Sequence, residues 1–600
     1  MNTIFDHDMI KVKYYRGASY IIIKSFYYGW EENMTEQERE RIISEDYADL
    51  LITYSGDMNI LDAFGDATIQ IINYFNAVVH VPVSQITNTT IMRLGYSVMP
   101  SLFGLISQAS LEASGIVRIR NIPNFNLRGQ GVLIGVLDSG IDYLNPIFRR
   151  ADNTTKIVSI WDQTIVSDNF PEGIFYGTEY TREQINQALQ STTPLEIVPT
   201  TDEIGHGTMV AGIAAGNEVP ESGFYGVAPD AELVVVKLKQ AKQYMRNFFR
   251  VPSDVPCYQE NDIMFAVDYL MSVATSLNRP MAMCFAVGTS QGAHDGRGTL
   301  SSYVSLQAER TGYGFLVAAG NEGNARRHYY GTIDPTTGLN TMELFVGENE
   351  PGFSMEIWGD SPGVFSIDIQ TPSGEYVPQI IPRLDENRDI TFIFEQTQIQ
   401  VDYQIIESQS GDQLILVRFS SPSSGIWRFN VYGRGTLARG FHAWLPMQGF
   451  ISENTYFIRS DPYTTILTLG NAVVPITVTA YNTEDDSLYL NASRGFTRTG
   501  VIKPEIAAPG VGIVSPTLDQ GFTEVSGTSA SAAHTAGVAA MLLEWAIVRN
   551  NQPYLNTLDM KVFMIRGARR ELDIQYPNRD WGYGILDVYN IFDSLRIVGM

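Results

Sequence analysis

Val132-Leu133-Ile134-Gly135-Val136-Leu137-Asp138-Ser139-Gly140 is an apolar run closed by a carboxylate, a serine and a glycine. Apolar residues without alternation mark a strand buried on both faces, and such strands belong to parallel sheets covered by helices. In sheets of this kind ligand and catalytic groups collect beyond the carboxyl ends of the strands, which is where Asp138 falls. Two further words join this one. Gly205-His206-Gly207-Thr208 precedes the small-residue segment Met209-Val210-Ala211-Gly212-Ile213-Ala214-Ala215-Gly216. Gly527-Thr528-Ser529 opens a second small-residue helix running through Ala530, Ala532, Ala533 and Ala536 to Leu543. Small side chains let both helices approach a sheet closely.

The residue types explain one another. A serine hydroxyl is a poor nucleophile until an imidazole takes its proton, and the imidazole needs a carboxylate to fix its tautomer and stabilise its cation. Asp138, His206 and Ser529 supply all three, in the chain order Asp, His, Ser, one of three unrelated orders in which this triad occurs. A nucleophile at a helix N-terminus also sits in a positive potential that favours developing negative charge. Phe315-Leu316-Val317-Ala318-Ala319-Gly320-Asn321 is another apolar run, closed by an amide able to donate a hydrogen bond to an oxyanion. Standing alone, Gly-Asn would be an ordinary turn.

The rest of the framework is α/β. Leu233-Val234-Val235-Val236-Lys237-Leu238 and Met281 to Val287 read as strands, and Asp262 to Leu277 carries apolar residues at helical spacing. Strands alternating with helices predict a parallel sheet covered on both faces. The 600 residues exceed one ordinary domain, and 66 acidic against 41 basic residues give a net charge of −25. That balance argues against nucleic acid and anionic membrane as partners. Two cysteines, Cys257 and Cys284, make no disulfide framework and read as packing residues. The seven histidines show no metal-ligand spacing, so the expected chemistry uses no metal and no cofactor.

These words together resemble the subtilisin-like serine peptidases, or subtilases. Gly226-Val227-Ala228-Pro229-Asp230-Ala231-Glu232-Leu233, Ser493-Arg494-Gly495 and Lys503-Pro504-Glu505-Ile506-Ala507-Ala508-Pro509-Gly510-Val511 carry the likeness further. Within the family the chain is most similar to the clostridial germination proteases of the Csp type. Leu111-Glu112-Ala113-Ser114-Gly115-Ile116, Tyr258-Gln259-Glu260-Asn261-Asp262 and Gly288-Thr289-Ser290-Gln291-Gly292-Ala293-His294-Asp295-Gly296 support that narrower likeness. Two departures stand out. Ala530-Ser531-Ala532-Ala533-His534 replaces the family's Met-Ala-Ser-Pro-His, and Ala286-Val287-Gly288 replaces its Ser-Leu-Gly. Neither removes a reacting group, and a strand contact made by main-chain hydrogen bonds survives a change from serine to alanine.

The resemblance implies a serine endopeptidase acting on a protein or peptide substrate. Its catalytic residues are Asp138, His206 and Ser529, Asn321 serves the oxyanion, and Ala286, Val287, Gly288, Ala319 and Gly320 bind substrate. A spore cortex-lytic zymogen is the substrate expected by analogy with the Csp type. A regulator that kept the fold and lost catalysis is the alternative from another class, and the presence of all four reacting groups disfavours it. A binding protein dominated by its middle section is a further alternative.

The expected fold is a three-layer parallel sheet with an N-terminal α+β prodomain and an inserted β-sandwich of jelly-roll type. The prodomain is placed at 34–108 and the peptidase at 109–335 and 455–600. The insert at 336–454 alternates apolar and polar residues, as in Phe365, Ile367 and Ile369, between turn words such as Ser361-Pro362-Gly363. In the N-terminal part, Tyr47 to Tyr54 and Ala77 to Val83 read as strands and Ser84 to Leu94 as one helix. The prodomain is expected to act as a cleft-bound inhibitor and folding template, and self-processing is expected at Gln108–Ala109. Tyr20 to Tyr28 is broken by Lys24 and too short to span a membrane. Codons for Trp30-Glu31-Glu32 can spell a ribosome-binding purine run, so translation is expected to begin at Met34, with 1–33 a mis-assigned start or a disordered extension. No export signal then remains, and the expected location is spore-associated or cytoplasmic.

Overall fold

The computed structural model describes residues 34–87, 90–106, 126–382, 387–434 and 440–596. At its centre stands an eight-stranded sheet in the order Ile506–Pro509, Ile476–Tyr481, Tyr313–Ala318, Met281–Phe285, Leu133–Asp138, Glu232–Lys237, Ile157–Asp162, Thr178–Thr181. All neighbours are parallel except the last pair. Strand period divides its side chains between two cores. Ile134, Val136, Leu233, Val235, Cys284 and Leu316 pack against the helices His206–Ala215 and Thr528–Leu543. Leu133, Leu137, Val234, Val236, Met283 and Val317 face the helices Glu260–Ser276 and Thr299–Ala308. An unalternating apolar sequence is what a sheet covered on both sides requires.

The two small-residue helices are buried along their whole length. Thr528–Val548 is long and apolar enough to cross a membrane, but its apolar window is 83% buried inside the fold. Cys257 and Cys284 are buried, and burial pushes the Cys257 thiol up to about 12 and the Cys284 thiol up as well. Neither is poised as a nucleophile.

Met281 to Val287 is not one strand. The central strand ends at Phe285, the chain bends at Ala286, and Val287–Gly288 forms a separate short edge. The bend turns this edge out of the main sheet into a small three-stranded sheet, between Val287–Gly288, Leu102–Leu105 and Tyr258–Gln259.

Two antiparallel sheets fill the stretch of chain between the parallel strands Tyr313–Ala318 and Ile476–Tyr481. Their strands run from His328 to Phe457, wider at both ends than 336–454. Phe353, Ile357, Ile367, Val417, Trp427 and Phe429 from both sheets share one core. The pairs Leu339–Val346 with Gly425–Arg434 and Gly352–Gly359 with Gln413–Ser420 lie in opposite sheets and nest one inside the other.

The N-terminal segment folds as a helix, Glu36–Ile43, on a three-stranded antiparallel sheet. Thr35 and Glu38 form a reciprocal capping box at the helix start. Tyr47–Thr53 pairs with Asn76–Pro82, which pairs in turn with Thr68–Ile71. The short helix expected over 84–94 is divided into a 3₁₀ turn, Val83–Gln85, and a short α-helix, Thr90–Leu94. The Thr87 backbone N–H donates to Thr90 Oγ1 at 2.9 Å, so threonine chemistry restarts the helix.

One buried charge ties this segment to the main body. Asp49 Oδ1 lies 2.6 Å from Lys242 Nζ, and Asp49 Oδ2 accepts from Gln259 Nε2 at 2.9 Å. Burial would raise the Asp49 carboxyl, but Lys242 and His80 hold it well below the usual carboxylate range. Removing one partner of a buried pair leaves the other charge unpaired. Asp49→Ala is therefore expected to cost about 3–5 kcal/mol in the unfolding free energy of the full chain. Urea unfolding checks this, and an effect below about 1 kcal/mol contradicts the reading.

Candidate active site

Asp138 ends the Leu133–Asp138 strand and is fully buried. His206 is the first residue of its helix, and a left-handed Gly205, at φ +84°, turns the chain into it. Gly207 is there for room. A Cβ on it would lie 2.1 Å from the Gly140 carbonyl oxygen and 3.1 Å from Asp138 Cβ. Only glycine lets the helix descend onto the end of the strand, and this puts His206 Nδ1 2.7 and 2.9 Å from the two Asp138 carboxylate oxygens.

Two residues that the sequence reading missed brace this junction. Asp202 accepts from the Gly205 and Thr208 backbone N–H groups at 2.8 and 2.9 Å, and from the Ser139 and Thr208 hydroxyls at 2.8 and 2.7 Å. Ser139 Oγ also accepts from the Gly207 N–H at 3.0 Å. Asp202 thus satisfies the helix start from outside, as a cap does. The available signal was an aspartate four residues before the histidine.

Ser529 lies fully buried in the first turn of its helix. Thr528 orients the oxyanion side. Its Oγ1 accepts from the Gly320 N–H at 3.0 Å and donates to Asn321 Oδ1 at 3.2 Å, and the Thr528 N–H donates to the same Oδ1 at 3.2 Å. With its oxygen held twice by Thr528, Asn321 presents its amide nitrogen as the donor end.

The cleft is occupied by the chain itself. Leu102–Leu105 runs antiparallel between the two edges, pairing Gly104 with Gly288 and Leu105 with Val287 on one side. Leu102 pairs with Gln259 and Phe103 with Tyr258 on the other. The Ile106 N–H continues the ladder to the Ala286 carbonyl at 3.1 Å. Ser529 Oγ donates to the same carbonyl at 3.4 Å, and His206 Nε2 lies 3.0 Å from the Ile106 carbonyl oxygen. Burial lowers the His206 pKa, but Asp138 outweighs it and, with the Ile106 carbonyl adding in the same direction, the value is raised. Both ring nitrogens thus face acceptor oxygens, Nδ1 those of Asp138 and Nε2 that of Ile106. Gln108 and Ala109, the expected processing site, lie outside the described residues.

The pocket beside Ile106 is shallow. A Cβ on Gly288 would lie 2.9 Å from Ile106 Cδ1 and 2.5 Å from Leu467 Cδ1, and one on Gly320 would lie 2.6 Å from Leu467 Cγ. Leu467 therefore fills the space between the two glycine walls, with its N–H donated to the Ala319 carbonyl at 3.0 Å. Sequence reading named both walls and missed the residue between them, because Leu467 lies beyond the insert with no motif around it.

The model of the subtilase family (peptidase S8) matches residues 129–343 and 461–584. The chain is 23% identical to the PII-type proteinase of Lacticaseibacillus paracasei over 81% of its own length, and spans 27% of that relative. It thus covers about a quarter of the length of such curated relatives. It is 27% identical to the subtilisin of Bacillus sp. (strain TA39) over 223 residues, 37% of this chain and 40% of that one. Among solved structures it resembles the CspB protease of Clostridium perfringens, with 29% identity and a TM-score of 0.72 over 81% of this chain and 97% of that one. The chain belongs to the subtilase family of serine peptidases.

Proposed function

We propose that this chain is a serine endopeptidase that cuts itself once, between Ile106 and Ser107, and that Leu102–Ile106 then stays in the cleft as an inhibitor. The observation that carries the reading is the register. A strand paired on both edges, as a substrate is, brings the Ile106 carbonyl to His206 Nε2, while the Ile106 N–H and Ser529 Oγ share the Ala286 carbonyl. This bond lies two residues before the junction expected from sequence alone. Holding it in the cleft makes the first cut intramolecular, with the entropic advantage of a tethered reactant.

In the reaction, Ser529 Oγ attacks the scissile carbonyl carbon as neutral His206 takes the hydroxyl proton at Nε2. Asp138 stabilises the imidazolium so formed. The oxyanion of the tetrahedral intermediate is held by the Asn321 side-chain amide and the Ser529 N–H at the helix start. Collapse breaks the C–N bond, and His206 returns the proton to the leaving amine. Water, deprotonated by the same imidazole, then attacks the acyl-enzyme ester and releases Ser529. The resemblance to germination proteases makes a spore cortex-lytic zymogen the candidate substrate in trans, and this is checked by incubating the processed enzyme with such a zymogen.

The wild-type chain should yield a large fragment whose N-terminus is Ser107, whereas Ser529→Ala should remain whole. Edman sequencing beside the Ser529→Ala protein decides it, and a fragment starting elsewhere contradicts the register.

The acid limb carries a second expectation. His206 works as a base only when neutral, and its pKa is raised, so kcat/KM on a peptide substrate should fall as pH drops through a value above the ordinary histidine value of about 6.5. Asp138→Asn should move that limb downward and lower kcat by on the order of 10⁴.

Leu467 sets a third. Leu467→Ala should deepen the pocket next to the cut and raise the preference for Phe over Ile at that position about tenfold, read as a ratio of kcat/KM on two peptides.

A further inference from the structure

The third residue before the proposed cut is Gly104, and its glycine is not required by the backbone. It is absent from the described glycines with left-handed φ. What it provides is room. A Cβ at Gly104 would lie 3.1 Å from Met447 Sδ, 3.1 Å from Phe450 Cε1 and 3.2 Å from Met447 Cε. Such contacts are well inside the roughly 3.5–4.0 Å optimum for non-bonded heavy atoms.

Met447 and Phe450 do not come from the parallel-sheet framework. They belong to the segment that connects two strands of the antiparallel sandwich, Gly440–Trp444 and Tyr456–Phe457, and both are buried, at 3% and 2% exposure. The segment crosses the cleft as a fixed strap. The Phe450 N–H donates to the Met447 carbonyl at 3.0 Å, closing a turn with Gly449 at φ +90° in its third position, the place where a type II turn needs glycine. The Leu445 N–H donates to the Arg327 carbonyl at 2.9 Å, and the Gln448 N–H to Glu322 Oε1 at 2.9 Å. Glu322 follows Asn321 in sequence, and its other oxygen holds Arg327 Nη1 at 3.1 Å. The strap is therefore tied to the residue next to the oxyanion-hole amide, and its position over the cleft is set relative to the reacting groups.

We propose that Met447 and Phe450 are specificity-determining residues that roof the third subsite and admit glycine there in preference to any side chain larger than a methyl. The inference rests on the reading of the cut after Ile106, which makes Gly104 the third residue. A substrate must then present a residue with no side chain larger than a methyl three positions before its scissile bond, beneath the strap, with an aliphatic residue at the bond itself. Phe103 lies one position further out and is buried at 1% exposure, so glycine is the narrow point of a strand that is otherwise filled with large side chains.

The test uses the full chain and its own cut. Four proteins are compared by the rate at which the full-length band disappears: wild type, Gly104→Val, Met447→Ala/Phe450→Ala, and the triple variant combining all three changes. Gly104→Val is expected to slow self-cleavage at least tenfold in the wild-type background. The same change is expected to slow it less than threefold in the Met447→Ala/Phe450→Ala background. Comparing within each background keeps a general loss of folding caused by the strap variant out of the ratio. Self-cleavage of Gly104→Val at the wild-type rate overturns the inference, as does an equal slowing in both backgrounds. N-terminal sequencing separates the two readings. A wild-type fragment that does not begin at Ser107 overturns the proposed cut and the inference with it. A fragment that begins there, with Gly104→Val cut freely, overturns the roof alone.

Discussion

Two strand edges face each other across the cleft, Val287–Gly288 and Tyr258–Gln259, and both carry backbone donors and acceptors that need partners. Everything around the site follows from how that need is met. Leu102–Leu105 enters between them and completes a three-stranded sheet, and this fixes the register of the chain against the catalytic groups. Main-chain pairing gives affinity without reading side chains, so selectivity has to come from what stands above and below the strand. Leu467 stands between Gly288 and Gly320, and Met447 and Phe450 stand against Gly104. The edges proposed to pair with a substrate thus bind the chain's own N-terminal segment.

The candidate site was legible because each of its members borders a conspicuous element. Asp138 closes an apolar strand, Asn321 follows another after Ala319-Gly320, and His206 and Ser529 open helices made of small residues. These patterns arise from close packing, which is imprinted on local sequence. Gly207 illustrates the link, since the contact that brings His206 to Asp138 leaves no space for a Cβ there. Asp202, Thr528 and Leu467 were not legible as site residues. Each acts through a contact made only when distant segments meet, as when Thr528 holds the oxygen of Asn321 across 207 positions of sequence. No local period or motif records such a contact.

The break at Ala286 was missed for a related reason. Met281 to Val287 has uniform strand character, so nothing local distinguishes the residues buried in the main sheet from the edge that leaves it. The separation is tertiary: Phe285 stays paired with Leu137 and Val317, while Val287 pairs with Leu105. The helix expected over 84–94 is divided for a different reason. Its apolar residues suggested continuity, but threonine side chains at its middle bond their own backbone and favour turns over helix interiors. The sandwich strands were readable from their period, whereas their first strand, His328–Thr332, begins before any obvious change in composition.

The sandwich is more than a decoration inserted between two parallel strands, because its entry and one of its connections meet beside Asn321. The chain enters it through Asn321, Glu322 and Arg327, and the strap between its last two strands returns to Glu322 and to the Arg327 carbonyl. Glu322 and Arg327 are 4% and 5% exposed at their side chains, so this ion pair is held where water screens it little. A buried pair of that kind contributes positional definition more than net stability, since its attraction is largely offset by desolvation. What it defines here is the distance between the oxyanion-hole loop and the strap over the substrate strand. An antiparallel body tied both at its entry and at its strap to one ion pair beside Asn321 fixes where the strap lies without adding any residue to the proposed reacting set.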